Sequence, residues 1–247
     1  LLNAEQTLIH LSSFDYISYA PFLANMQDRL ARFYHYTIAD RAREESALLN
    51  ELATYSKLME VISNHNNRGF LAVLLDSIRL FYANDNSRLE QYDDMLEAEL
   101  ENYEILYNES DSNYNKKMVT DLRILKGWRS LQQDKIDDAM DLFLSAYQLD
   151  PEESVSFLAT CYNQKAYELA RARDFTMAIK TIEKAIALMP DDANYYDSKG
   201  EILLMQGDEK GALEMWKKVL ELEPDFLEKW KETELHLGLK ERKLTDD

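Results

Sequence analysis

The phrase KAIALMPDD, residues 184–192, returns as KVLELEPDF at 218–226, and an earlier cousin, SAYQLDPEE, occupies 145–153. Three of the four prolines stand in this phrase: Pro190 and Pro224 are 34 residues apart, Pro151 and Pro190 39. A recurring interval of this length is the mark of stacked supersecondary units. Aligned backwards from each proline, segments 120–151, 159–190 and 193–224 share columns. Small residues recur as Gly127, Ala166 and Gly200, then as Ala139, Ala178 and Ala212, then as Ala146, Ala185 and Val219. Between the last two columns stands a bulky residue, Phe143, Ile182 or Trp216. Small side chains let two antiparallel helices approach closely, and the bulky one is expected to fill the gap against the next hairpin. Ala212 and Trp216 are i and i+4, so they share a helical face. Proline cannot continue the helical ladder, so it is expected after each second helix, as punctuation between units.

Composition agrees. With only 6 Gly and 4 Pro in 247 residues, the chain lacks the turn material of an all-β protein, and an all-α fold is expected. The 39-residue interval adds about five residues before Ala159, which EESVSFLATCYNQKAYELARARD accommodates as a longer first helix.

These columns resemble the tetratricopeptide repeat, a helix-turn-helix of 34 residues with small, aromatic and proline residues at set places. The resemblance covers about half the chain, with Ser130 and Leu203 standing where the first helix usually has Tyr. It implies an α-solenoid of antiparallel hairpins, a right-handed superhelix whose concave groove is lined by first helices and takes a partner's peptide or helix. The implied groove positions are Asp121, Ile124, Trp128 and Leu131 in the first repeat and Thr160, Asn163, Tyr167 and Arg171 in the second. In the third they are Asn194, Asp197, Glu201 and Met205. Asn163, Tyr167 and Arg171, at i, i+4 and i+8, make one ridge. Trp128 and Tyr167 offer rigid contact area, and Arg171 can grip a carboxylate or carbonyl. The alternative is that Trp128 packs on a neighbouring helix and Arg171 pairs with an Asp. One subfamily holds the C-terminal carboxylate of chaperones with a Lys and an Asn. Ile124, Trp128, Asn194 and Ser198 stand at the corresponding places here, so that clamp is not expected.

Residues 1–114 are expected to be helical, with degenerate repeats at most. The run 26–65 reads as long and uninterrupted, with Leu48, Leu52, Tyr55 and Met59 on one face. Residues 68–112 read as two helices joined near 84–87, and the polar stretch 107–117 as the joint to the repeats at 115–224. Residues 225–247 resume the pattern at Trp230 and then turn polar, as a capping helix with a charged tail would.

The net charge is −18, from 8 basic against 19 acidic residues in 1–114 and 20 against 27 in 115–247. An acidic surface argues against nucleic acid and anionic lipid and favours a basic or mixed protein partner. Cys161 is the single cysteine, so no intramolecular disulfide forms, and it reads as a buried apolar residue. His10, His35, His65 and His236 are scattered without metal-ligand spacing, and no phosphate loop or catalytic constellation is present. No catalytic residue, metal or cofactor is therefore expected. The opening LLNAEQTLIH shows no signal peptide, and its lack of Met is compatible with a signal or anchor upstream. Cytoplasm and periplasm both fit a soluble chain without membrane insertion. The expectation is a non-catalytic interaction scaffold, monomeric or weakly self-associating. A regulatory or sensory segment of a larger signalling chain is the alternative.

Overall fold

The computed structural model describes residues 2–12, 15–83 and 85–225, and every regular element among them is helical. The chain divides into two compact units, Leu1–Leu122 and Arg123–Asp247. The joint expected at 107–117 is only a short break at 110–112, and the division falls further on, inside a helix.

Unit 1 holds α1 (Leu2–Ser12), α2 (Tyr16–Phe33), α3 (Arg41–Val61), α4 (His65–Tyr82) and α5 (Leu89–Glu109), each packed against its predecessor in sequence. The run 26–65 is not the uninterrupted stretch that its polarity pattern suggests. A π-helical turn at Tyr34–Ile38 follows α2, Ala39 is left-handed at φ 53°, and the Asp40 side chain accepts from the Arg43 N–H at 3.1 Å to start α3. A left-handed alanine costs about 1 kcal/mol, which the Asp40 cap offsets. Helices α4 and α5 do meet where expected, through a 3-10 turn at Asn86–Arg88 led by Asp85.

The buried face of α3 also departs from the expected row. Ala47, Leu48, Glu51, Thr54 and Leu58 are buried, while Leu52, Tyr55 and Met59 are half-buried. The helix lies between α2 and α4 and buries polar groups, as where Thr54 Oγ1 donates to Gln27 Oε1 at 3.0 Å. Burial first, and then Asp28, push the Glu51 carboxyl up to about 8, with Arg32 opposing. A carboxyl raised in the folded state contributes stability that is complete below its unfolded value and is lost as pH rises through its folded one. Between pH 5 and 9 the protein should therefore lose stability through Glu51. Glu51→Gln is expected to flatten that slope and add roughly 1–3 kcal/mol at pH 9. Urea titrations across this range check it, and identical slopes in both proteins would exclude it.

Helix α6 (Asn113–Gln132) crosses the division into unit 2, which continues with α7 (Ile136–Leu149), α8 (Pro151–Arg171), α9 (Phe175–Leu188), α10 (Ala193–Gln206) and α11 (Glu209–Leu222). These form the three hairpins that the spacing predicts, and the long α8 absorbs the extra residues. Pro151 sits differently from its counterparts. It is the first residue of α8, behind the Asp150 N-cap, which accepts from the Glu153 N–H at 3.2 Å. That is the helix position where a missing N–H costs nothing. The hairpin turns place Asp134, Arg173 and Gly207 in the left-handed region, at φ 58°, 64° and 95°. Only the last carries the glycine that advertises such a turn.

The alanine columns are buried throughout, as are Phe143, Ile182 and Trp216. A Cβ on Gly127 would stand 2.6 Å from the Phe143 ring, and one on Gly200 would stand 2.7 Å from the Trp216 ring. The bulky residue thus fills the space over the small residue of its own hairpin, a correction to the expected contact with the next one alone. Phe143 makes both contacts, since it also stacks on Phe157 of α8 at 6.1 Å between centroids. Cys161 is wholly buried, and its thiol is pushed up to about 12 by burial. The expected capping helix and Trp230 lie outside the described residues.

Candidate functional site

In unit 2 the first helices of the second and third hairpins, α8 and α10, lie side by side. Across this seam the Tyr167 hydroxyl donates a short hydrogen bond to Glu201 Oε2. Burial, the Glu201 charge and the Glu201 hydrogen bond push the Tyr167 hydroxyl well above the ordinary phenol range, with a smaller push from Asp197. Ser198, itself buried, acts the other way through a hydrogen bond to Tyr167. Further up the seam Thr160 Oγ1 lies 3.4 Å from the Tyr195 hydroxyl. Tyr167, Glu201 and Asp197, named separately from the sequence, thus form one cluster. Two hairpins are joined by it.

Asn163, one turn before Tyr167, is half-buried, and its Oδ1 has no hydrogen-bond partner among the described residues. One turn after Tyr167, Arg171 is exposed and has no carboxylate partner among the described residues. The ion pair entertained for it therefore does not form there. Met205 is exposed near the end of α10. Trp128 combines both readings of it: it meets Phe143 and Phe157 edge-on at 6.0 and 6.1 Å, yet keeps 36% exposure.

Other expected groove residues are occupied elsewhere. Ile124 is only 7% exposed and belongs to the core around Phe143, which removes it from a binding face. Leu131 packs against the same core. Asn194 is spent on the start of α10, where its Nδ2 donates to Asp192 Oδ1 at 2.8 Å. Asp121 precedes the division between the units and pairs with Lys117 one turn earlier, at 3.1 Å. Ser198 entered the sequence reading only as a departure from the carboxylate clamp, and Phe157 was not singled out. Phe157 was missed because it falls in the extra turn of α8, which no repeat column covers.

Residues 159–192 match the profile of the tetratricopeptide repeat family. The chain is also similar to tetratricopeptide repeat protein 36 of Xenopus tropicalis, 42% identical over 53 residues, which is 22% of this chain and 26% of that protein. The family match spans one repeat length, across α8 and α9. The chain spans about a quarter of the length of that curated relative. Among solved structures, BtubC from P. vanneervenii is 15% identical across 91% of this chain and 88% of its own, with a TM-score of 0.40. MamA is 16% identical across 87% and 97%, with a TM-score of 0.41. YrrB, described as a repeat protein of this type with an unusual peptide-binding site, is 17% identical across 88% and 93%, with a TM-score of 0.41.

The described residues include no group of three or more His, Cys, Asp or Glu placed to hold a metal ion. No helix among them is long and apolar enough to cross a membrane.

Proposed function

We propose that this chain is a non-catalytic interaction scaffold whose repeats take a peptide or helix of a partner protein along the first-helix face of unit 2. Trp128, Tyr167 and Arg171 are the contact residues. The observation that carries this reading is the Tyr167–Glu201 hydrogen bond across the α8–α10 seam, with Arg171 exposed one turn beyond it and without a carboxylate partner among the described residues. The bond fixes the backbone of two hairpins relative to one another, so a ligand meets a rigid surface and loses less ordering entropy on docking. Arg171 supplies a planar fork of donors for a carboxylate or backbone carbonyl, and Trp128 a partly exposed aromatic face.

The test is affinity capture from a lysate of the native source with wild type and two variants. The Trp128/Tyr167/Arg171 triple Ala variant removes all three contacts. Arg171→Glu reverses an exposed charge and leaves the core untouched. A protein retained by the wild type and bound at least about ten-fold more weakly by Arg171→Glu, with unchanged thermal unfolding, is the expected result. Equal retention by all three proteins would refute the reading.

A further inference from the structure

Unit 1 has an apolar helix face that its own core does not use. The buried residues of α4 are Ala72, Leu74, Leu75, Ile78, Arg79 and Tyr82. The opposite face presents Phe70, Val73 and Leu80, exposed at 59%, 58% and 54%, with exposed Ser77 completing an i, i+3, i+7, i+10 row. A surface helix ordinarily carries its polar residues on that side. Gly69 stands beside the row, and a Cβ there would meet nothing within 4 Å. Glycine inside a helix costs about 1 kcal/mol, and no neighbour among the described residues requires this one. It leaves room for another backbone to come close.

At one end of the row, Ser77 and Leu80 open into a cavity of about 630 Å³ between α2, α3 and α4, which Asp28, Arg32 and Glu44 also line. At the other end Tyr55 of α3 stacks on Phe70 at 6.2 Å. Helix α3 runs between these ends, from Arg41 over the Phe81 ring to Tyr55. That length is about 21 Å, enough for about four turns of a helix. On this stretch lies Glu51, more than nine-tenths buried, with Oε2 unpartnered among the described residues. The charged groups acting on it are Asp28 and Arg32 of α2.

We infer that this groove docks a basic amphipathic helix of a partner protein. Its apolar row would lie on Phe70, Val73 and Leu80, and a Lys or Arg would reach Asp28 and Glu51. Charge complementarity selects this occupant. The exposed row carries no charge. Around it Asp28, Glu44 and the buried Glu51 stand against the guanidinium groups of Arg32, which pairs with Asp28 at 2.8 Å, and Arg41, in a stretch, residues 1–114, that has 8 basic against 19 acidic residues. A second copy of this chain would bring the same carboxylates against them, in a protein of net charge −18. Burial holds the free Glu51 carboxyl protonated near neutral pH, so a docked cation would expel that proton. The site lies within unit 1 and is independent of the repeat face in unit 2.

The probes are two synthetic helical peptides of about 16 residues with Leu at i, i+3, i+7 and i+10. They differ only in carrying Lys or Glu at the positions flanking that row. By fluorescence anisotropy with the full chain, the Lys peptide should bind at least about ten-fold tighter than the Glu peptide. Val73→Asp, at an exposed site, should weaken it by a similar factor with unchanged circular dichroism, whereas Arg171→Glu should leave it alone. Calorimetry at pH 7 in buffers of different ionisation enthalpy should show release of close to one proton per peptide by wild type and none by Glu51→Gln. Equal affinity for the two peptides, or indifference to Val73→Asp, overturns the inference. A dimer in light scattering that Val73→Asp abolishes also overturns it and assigns the face to a second copy.

Discussion

Phe143→Ala is expected to destabilise unit 2 by about 3–5 kcal/mol, the range for emptying a buried aromatic site. Phe143 is fully buried, rests on Gly127, stacks on Phe157 and receives the edge of Trp128. Its removal leaves a cavity beside Gly127, Trp128 and Phe157, and surroundings of this kind collapse only in part. All three tryptophans lie beyond residue 122, at 128, 216 and 230. Urea unfolding followed by tryptophan fluorescence therefore reads this unit, while circular dichroism reads both. The fluorescence midpoint should fall sharply and the early part of the dichroism curve should split off, because the units need not unfold together. The reciprocal substitution sharpens the test. Gly127→Ala gains about 1 kcal/mol of helix propensity but forces a methyl group to 2.6 Å from the ring, and overpacking of this kind costs about 1–3 kcal/mol. Adding Phe143→Leu to Gly127→Ala should recover part of that loss. If Phe143→Ala left the fluorescence midpoint within about 0.5 kcal/mol of wild type, the knob-on-glycine account of the hairpins would fail.

That pairing also explains what could be seen in advance. A small column and a bulky column at fixed offsets encode helix contacts directly, so Gly127 with Phe143 and Gly200 with Trp216 were visible as a pattern. Only the partner was misassigned, because spacing along one helix does not say whether a side chain points into its own hairpin or the next. The turns were less legible. Asp134 and Arg173 adopt left-handed backbone without glycine, and the break after α2 rests on the left-handed Ala39 and the Asp40 cap. In unit 1 the buried face of α3 includes Glu51 and Thr54, which a hydrophobic count assigns to solvent. The groove residues divided for a similar reason. Ile124 is apolar and went to the core, whereas Arg171 could only be exposed or paired. Tyr167 and Glu201 lie 34 residues apart, one repeat length, so their meeting followed from the period, although nothing in the sequence announced the bond.

The largest expected loss in unit 1 comes from Arg79→Met. Arg79 Nε donates to Glu99 Oε2 at 2.7 Å, and the Glu99 side chain is completely inaccessible to solvent. Arg79 also pairs with Asp76, and its guanidinium lies 5.9 Å from the Tyr92 ring centroid. Burial pushes the Glu99 carboxyl up, with Arg79 holding it back. For Arg79 burial works against the charge, but the Glu99 bond and charge more than offset it, and the guanidinium is held above its ordinary value. Methionine keeps most of the volume and removes the counter-charge, leaving a carboxylate in an apolar surround. Breaking one side of such a pair costs about 3–5 kcal/mol. Because Glu99 would then bind a proton more tightly when folded than unfolded, the loss should be smaller at pH 5 and grow toward pH 8. The double variant Arg79→Met/Glu99→Leu removes the stranded charge, and replacing both members of a buried pair by apolar groups is often neutral or stabilising by about 1–4 kcal/mol. It should therefore return close to wild type and lose the pH dependence. Unfolding followed by circular dichroism on the four proteins of this cycle separates the possibilities. A double variant no more stable than Arg79→Met would mean that Arg79 holds α4 through Asp76 and Tyr92 rather than through Glu99. A rescue would mean that the buried pair contributes little net stability to the α4–α5 contact, and that the apolar residues around it hold the two helices together.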